Sequence, residues 1–250
     1  MKIFGLNFFT LLVVVFLISS FDGLAQEELN YEKQLWAGAY FNWKLDDKWV
    51  YNQDIGYQHL YETPTFTRVS LRSQINRQLA GSFSLHGGLN FFYKINEFDN
   101  NAIEIRPWVG AKLRWPYFWR FNFVHYLRFE QRFEHTFNVN DWENNFRGRY
   151  KIASNIPINH GALIDKTLYG VIAYEFFTVS FGDDVRFTTA ATHRFDLGMG
   201  YRQNTKVRYE AIIIAFNTLD EDTEHYSFSN FVLFLKYKRY INWERSGNDF

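Results

Sequence analysis

Sixteen residues decide the fold: Trp119-Arg120-Phe121-Asn122-Phe123-Val124-His125-Tyr126-Leu127-Arg128-Phe129-Glu130-Gln131-Arg132-Phe133-Glu134. Trp119, Phe121, Phe123, Leu127, Phe129 and Phe133 occupy odd positions, and Arg120, Asn122, Arg128, Glu130, Arg132 and Glu134 occupy even ones. A period of two places successive side chains on opposite faces of an extended chain, so this segment is a strand with one apolar and one charged face.

The same alternation recurs along the chain. From Leu35 to Leu45 the odd positions are Leu, Ala, Ala, Phe, Trp and Leu, against Tyr40, Asn42 and Lys44. From Arg68 to Gln78 every even position is polar, and Val69, Leu71, Ile75 and Leu79 form the other face. From Ile103 to Trp115 an apolar odd face opposes Glu104, Arg106, Lys112 and Arg114. Helical periodicity is absent, and no stretch after Gln26 is long and apolar enough for a membrane helix. Eleven segments emerge: 33–45, 49–61, 66–79, 82–95, 102–115, 118–134, 144–158, 166–180, 192–203, 205–217 and 225–241.

Two architectures accommodate such strands: a soluble periplasmic β-sandwich with its apolar faces inward, or a membrane barrel with those faces outward. Segments of this length exceed ordinary globular strands of about 5–6 residues and match what crosses a bilayer at a tilt. Arg–Glu alternation suits side chains packed around a lumen. Trp36, Trp43, Trp49, Tyr51, Tyr57, Tyr61, Trp115, Tyr117, Trp119 and Tyr240 lie near segment ends, where amphipathic rings form an interfacial girdle. Hydrocarbon leaves no partner for an open sheet edge, so the sheet must close. The expected fold is therefore all-β: a closed antiparallel transmembrane β-barrel of 10–12 strands. Barrels usually close on an even count, so 10 or 12 is expected. Pro107 removes a ladder donor and marks either a bulge or a weak fifth strand. Turns at Asp46–Lys48, Ala80–Gly81 and Gln203–Asn204 are tight. Connections at 96–101, 135–143, 182–191 and 218–224 are longer and polar, the asymmetry of periplasmic turns and outer loops.

Ahead of the strands, Lys2, the apolar run Leu11–Ile18 and the small residues around Gly23-Leu24-Ala25 form a secretory signal, with cleavage expected before Gln26. Residues 1–25 are thus the signal peptide and 26–250 one barrel domain. The expected location is the outer membrane of a two-membraned bacterium, with outer-membrane lipid and the barrel-insertion machinery as partners. The tail 242–250 either trails or aids that recognition.

Composition narrows the function. The 250 residues carry 27 Lys+Arg against 27 Asp+Glu, which removes the electrostatic case for nucleic acid. Zero Cys excludes disulfides, Cys-ligated metals and thiol nucleophiles. Aromatic residues make up 21% of the chain, too many for a disordered segment.

The early Trp-bearing strands, Arg147-Gly148-Arg149-Tyr150 ending near Pro157, Tyr174-Glu175-Phe176-Phe177, and the stretch from Arg194 through Gly198, Gly200 and Tyr201 complete a pattern. Over roughly residues 33 to 240 it resembles the domain-of-unknown-function 2490 family of outer-membrane barrels. The resemblance implies a barrel in the outer membrane. It carries no settled activity and brings no catalytic residues.

Candidate chemistry is sparse. His225-Tyr226-Ser227, with Ser229 and Asn230, resembles the His/Ser spacing of barrel phospholipases and lipid A deacylases, in which His takes the Ser proton. Phe228 and Ser229 interrupt that motif before Asn230, so a polar rim is the simpler reading. His59, His86, His125, His135, His160, His193 and His225 show no ligand spacing, and no metal or cofactor is expected. Asp220-Glu221-Asp222 with Glu224 reads as a solvated loop rather than a Ca²⁺ cage. Gly198 and Gly200 mark a crowded lumen or a bend.

The charges expected to face the lumen are Arg68, Arg72, Glu104, Arg106, Arg128, Glu130, Arg132, Glu134, Arg147, Arg149, Glu175, Arg202, Arg208 and Glu210. They serve either as an ion-paired filling or as the lining of a narrow pore for small solutes. Their mixed signs argue against strong ion selection. The expected function is a narrow channel or a structural membrane protein rather than an enzyme.

Overall fold

The computed structural model describes residues 32–61, 66–96, 101–138, 141–181, 188–219 and 226–243. They form β1 (Glu32–Lys44), β2 (Trp49–Leu60), β3 (Phe66–Ala80), β4 (Phe83–Asn96), β5 (Ala102–Arg114), β6 (Val124–Thr136), β7 (Asp141–Pro157), β8 (Thr167–Phe181), β9 (Thr188–Asn204), β10 (Val207–Leu219) and β11 (Tyr226–Ile241), with no helix among the described residues. Residues 1–25, expected to be a signal peptide, lie outside them.

Each strand pairs antiparallel with the next, and β1 pairs with β11 to close the sheet. The barrel therefore has eleven strands, neither 10 nor 12, and is not antiparallel throughout. The chain reverses at every connection, so the first and eleventh strands run the same way and must close in parallel. Trp36 lies opposite Phe234 and Tyr40 opposite Lys238 in that seam. One continuous closed sheet also rules out the sandwich, which needs two sheets packed face to face.

Ladder registers drift steadily. Followed from β1 to β11 and back, they return about 14 residues nearer the start of β1, which tilts the strands by roughly 45°. A strand of 13 residues such as β1 then covers about 30 Å along the axis, at roughly 3.3 Å per residue.

Three boundaries depart from expectation. Residues 118–123 do not belong to β6: Pro116 has no donor, Trp119 takes a left-handed φ of 55°, and Phe118 and Phe121 bridge each other. The alternation there builds a stack of rings, with Phe121 and Phe123 5.7 Å apart, instead of a ladder. β7 and β9 begin earlier than the alternation indicates, shortening the intervening connections to 137–140 and 182–187. Pro107 sits on the exposed outer face and stays paired with Leu89 of β4; the β5–β6 ladder has no pair at Arg106 or Pro107 but resumes in the same register, so the proline interrupts that pairing without a bulge.

The expected asymmetry of connections is also corrected. Residues 45–48, 81–82 and 205–206 are tight, but the two longest connections, 115–123 and 158–166, lie at the same end. In the first turn Asp46 Oδ1 accepts from the Lys48 and Trp49 N–H groups at 2.7 and 2.8 Å, the Asp-turn geometry that reverses a chain without glycine. Lys44 stands 2.9 Å from Asp47 and holds that carboxyl below its usual range. The segment 158–166 turns inward: Leu163 packs against the interior, and Arg202 Nη1 donates to its carbonyl at 2.5 Å.

The two faces differ as the alternation requires. Ile55, Val69, Leu71, Ile75, Leu85, Phe91, Val109, Leu127, Phe129, Leu197 and Leu235 are exposed on the outside. Inside, one sector is apolar: Tyr169, Val171, Ile212, Ile214, Val232 and Phe234 are buried together, with Trp36, Tyr40 and Phe216 against them. Gly200 faces this sector, and a Cβ there would overlap the Tyr169 ring, so crowding rather than bending explains the glycine.

Candidate functional site

The rest of the interior is built from charge. Glu104 on β5, Glu130 on β6 and Glu175 on β8 are almost wholly buried against the wall. Arg106 donates to both oxygens of Glu104 at 2.6 Å, and Arg132 Nε adds a third bond at 2.6 Å. Arg147 and Arg128 both pair with Glu130, the latter at 2.8 Å. Arg149 bridges Glu175 at 2.6 Å and Glu130 at 3.7 Å. Lys151 and Arg194 hold Asp196 at 2.9 and 2.6 Å. Arg72 pairs with Asp54, and Lys94 with Glu134. A buried carboxylate is tolerated only when its lone pairs are satisfied by cations or donors, and adjacent strands supply these in register. The register sets Glu130 opposite Arg147 and Arg128 opposite Arg149.

Nine cations thus share six carboxylates. Arg68 is a further cation with no carboxylate among the described residues. Its Nε donates to Gln58 at 2.7 Å, and its guanidinium lies 5.1 Å from the Phe92 ring. All fourteen charges named from the sequence point into the barrel; Arg202, Arg208 and Glu210 sit toward the end with the tight turns. There Glu210 accepts from Tyr169 at 2.8 Å and Lys238 at 2.6 Å, and Arg208 stacks on Tyr240 at 4.6 Å.

The interior is hollow. A cavity of about 360 Å³ reaches inward from Gln34, Phe66 and Asn230. Eight arginines line it: Arg68 and Arg72 of β3, Arg106 of β5, Arg128 and Arg132 of β6, Arg147 and Arg149 of β7, and Arg194 of β9. No aspartate or glutamate is among its described lining residues, because the carboxylates lie behind the guanidinium groups. Below it lies a second cavity of about 310 Å³, with Asn42, Asn52, Gln74, Asp54 and Lys236 in its wall. Trp36, Gln58, Arg72, Arg149 and Arg194 border both cavities and form a waist between them.

Of the ten girdle residues, Trp43, Trp49, Tyr51, Tyr57, Tyr61, Trp115, Tyr117 and Trp119 lie outside the lumen, with Trp43 and Tyr51 in contact at 5.5 Å. Trp36 and Tyr240 do not: both are on the inner face, Trp36 5.6 Å from Phe234 and 5.7 Å from the Arg194 guanidinium. Tyr201 and Tyr209, outside the ten expected girdle residues, extend the outer set near the tight-turn end.

His225 and the acidic run 220–224 lie outside the described residues, and Ser227 is described only by its ladder place opposite Thr218. A different Ser/His pair forms inside, Ser84 Oγ to His86 Nε2 at 2.8 Å, with no carboxylate on the imidazole among the described residues. A triad needs that third group to orient the base. The spacing of Ser84 and His86 on one face of β4 was visible in the sequence; their burial was not. No cluster of three metal-ligating side chains occurs among the described residues.

Together these features define a closed β-barrel with an apolar exterior and an arginine-lined, ion-paired interior. The chain belongs to the family described as a protein of unknown function (DUF2490), whose model matches residues 33–224. No curated protein matches it.

Proposed function

We propose that the chain is a bacterial outer-membrane β-barrel without catalytic activity whose interior is a narrow conduit for small solutes. The carrying observation is the outer surface: large apolar side chains are exposed on strands around the circumference of a closed sheet. Soluble monomers rarely expose contiguous apolar patches beyond a few hundred Å². A tilted 13-residue strand covers about 30 Å, close to the roughly 25–30 Å of hydrocarbon a barrel must cross. Trp43, Trp49, Tyr51, Trp115, Tyr201 and Tyr209 would then lie at one headgroup level, their rings in the lipid and their polar atoms wet. The two cavities and their waist support a conduit over a solid ion-paired filling.

Export by the segment 1–25, insertion by the barrel-assembly machinery and contact with outer-membrane lipid belong to the same proposal. The test is fractionation of the producing cell combined with gel mobility. The folded chain should co-sediment with outer membranes and run at a shifted position in unheated SDS gels. Recovery in the soluble periplasmic fraction, with no heat-dependent shift, would reject it. No described geometry favours the lipid-hydrolase reading on His225 and Ser227.

A further inference from the structure

We infer that the arginine-lined cavity is a binding site for a small, multiply charged oxyanion of the phosphate class. The inference rests on the geometry of the cavity and holds whether or not the barrel conducts.

Three observations carry it. First, the charges are unequal. Every buried carboxylate of the upper interior is shared among several cations, and guanidinium groups are the only charged side chains on the cavity's described lining, beside the amides of Gln34, Gln58, Asn90 and Asn230. Arginine keeps its charge in any protein environment, and uncompensated charge in a low-dielectric enclosure attracts a counter-charge strongly. Second, Arg68 has its Nε fixed by Gln58 and its plane beside Phe92, leaving its terminal nitrogens toward the cavity with no carboxylate partner. Third, the guanidinium groups are preorganised. Arg106 lies over Phe92 at 4.2 Å, Arg128 over Trp108 at 4.1 Å, and Arg149 over Phe177 at 4.9 Å. Rigid planar forks recognise tetrahedral oxyanions bidentately, which a halide cannot exploit.

A cavity of about 360 Å³ admits a small phosphate or phosphate ester and excludes a polymer. The β-wall surrounds it, so the ligand enters along the barrel axis from solution, which excludes a lipid headgroup as its source.

The probe is inorganic pyrophosphate, titrated by calorimetry into the full chain refolded in detergent at low ionic strength. Saturable binding is expected, weakened about tenfold or more by Arg68→Gln, a substitution that orphans no carboxylate. Lys236→Gln, below the waist, should leave the affinity within about twofold while unheated gel mobility stays that of the folded barrel. If Arg68→Gln does not fold, Arg68→Lys keeps the charge, loses the fork and should also weaken binding. Absence of binding to the folded wild type, or unchanged affinity in the Arg68 variants, would overturn the site. Binding of dihexanoyl phosphatidate without pyrophosphate would overturn the soluble source. Silence in planar bilayers with pyrophosphate binding intact would strike the conduit and leave this site standing.

Discussion

Glu130 shows what a single buried residue carries here. It is 1% exposed and faces four guanidinium groups, those of Arg106, Arg128, Arg147 and Arg149. Removing its charge leaves cations crowded in a low-dielectric wall. Glu130→Gln should therefore destabilise the barrel by about 3–5 kcal/mol, the range for breaking a buried pair. Glu134→Gln, with a partly exposed side chain, should cost about 1 kcal/mol or less. The temperature at which the compact gel band converts to the unfolded one gives both values. Gly200→Ala drives a Cβ into the Tyr169 ring and should cost about 1–3 kcal/mol in the same assay. At this scale the sequence was legible wherever parity was obeyed. Trp36 and Tyr240 share the even parity of Tyr40, Asn42, Lys236 and Lys238, so their inward direction was already written in the alternation. The rule that aromatic rings gather at strand ends overrode that signal.

Among the elements, most strands announced themselves because an apolar–charged alternation has one extended solution. The β6 boundary did not, since Pro116 and the left-handed Trp119 break a ladder that the alternation alone would continue. The apolar interior sector was faint for a different reason: Ala211 to Phe216 is apolar on both faces, so only the even parity of Arg208 and Glu210 earlier in β10 points Ile212 and Ile214 inward. The parallel seam follows from an odd strand count and from nothing in β1 or β11 themselves. It makes a sharp prediction. Ala37 lies opposite Leu235 on the outer side of the seam, and the chain has no cysteine of its own. The pair Ala37→Cys and Leu235→Cys should form a disulfide on mild oxidation, since Cα atoms of adjacent strands fall within the 4.4–6.8 Å a disulfide requires. A reduced pair in the folded barrel, with a disulfide appearing instead when one cysteine is moved several positions along β11, would show a different seam.

For the whole molecule, net charge misled where placement informs. A chain with equal numbers of acids and bases nonetheless lines its upper cavity with eight arginines, so its neutrality is a sum over surfaces of different sign. Mixed signs along each strand argued against ion selection. Placement changes that balance: the described lining of the upper cavity carries arginines and no carboxylate, and in the lower one Asp54 and Glu175 are outnumbered by Arg72, Arg149, Lys151, Arg194 and Lys236. Selectivity follows the groups a permeating ion meets, so a conduit through this barrel should prefer anions. Weakening that lining at Arg68 should lower the preference without abolishing conductance. The most direct measurement is the reversal potential of the refolded full chain in a planar bilayer under a potassium chloride gradient. Discrete conductance steps with a reversal potential displaced toward that of chloride are predicted. A folded, heat-modifiable barrel that passes no current, or one whose reversal potential lies toward potassium, would contradict the account.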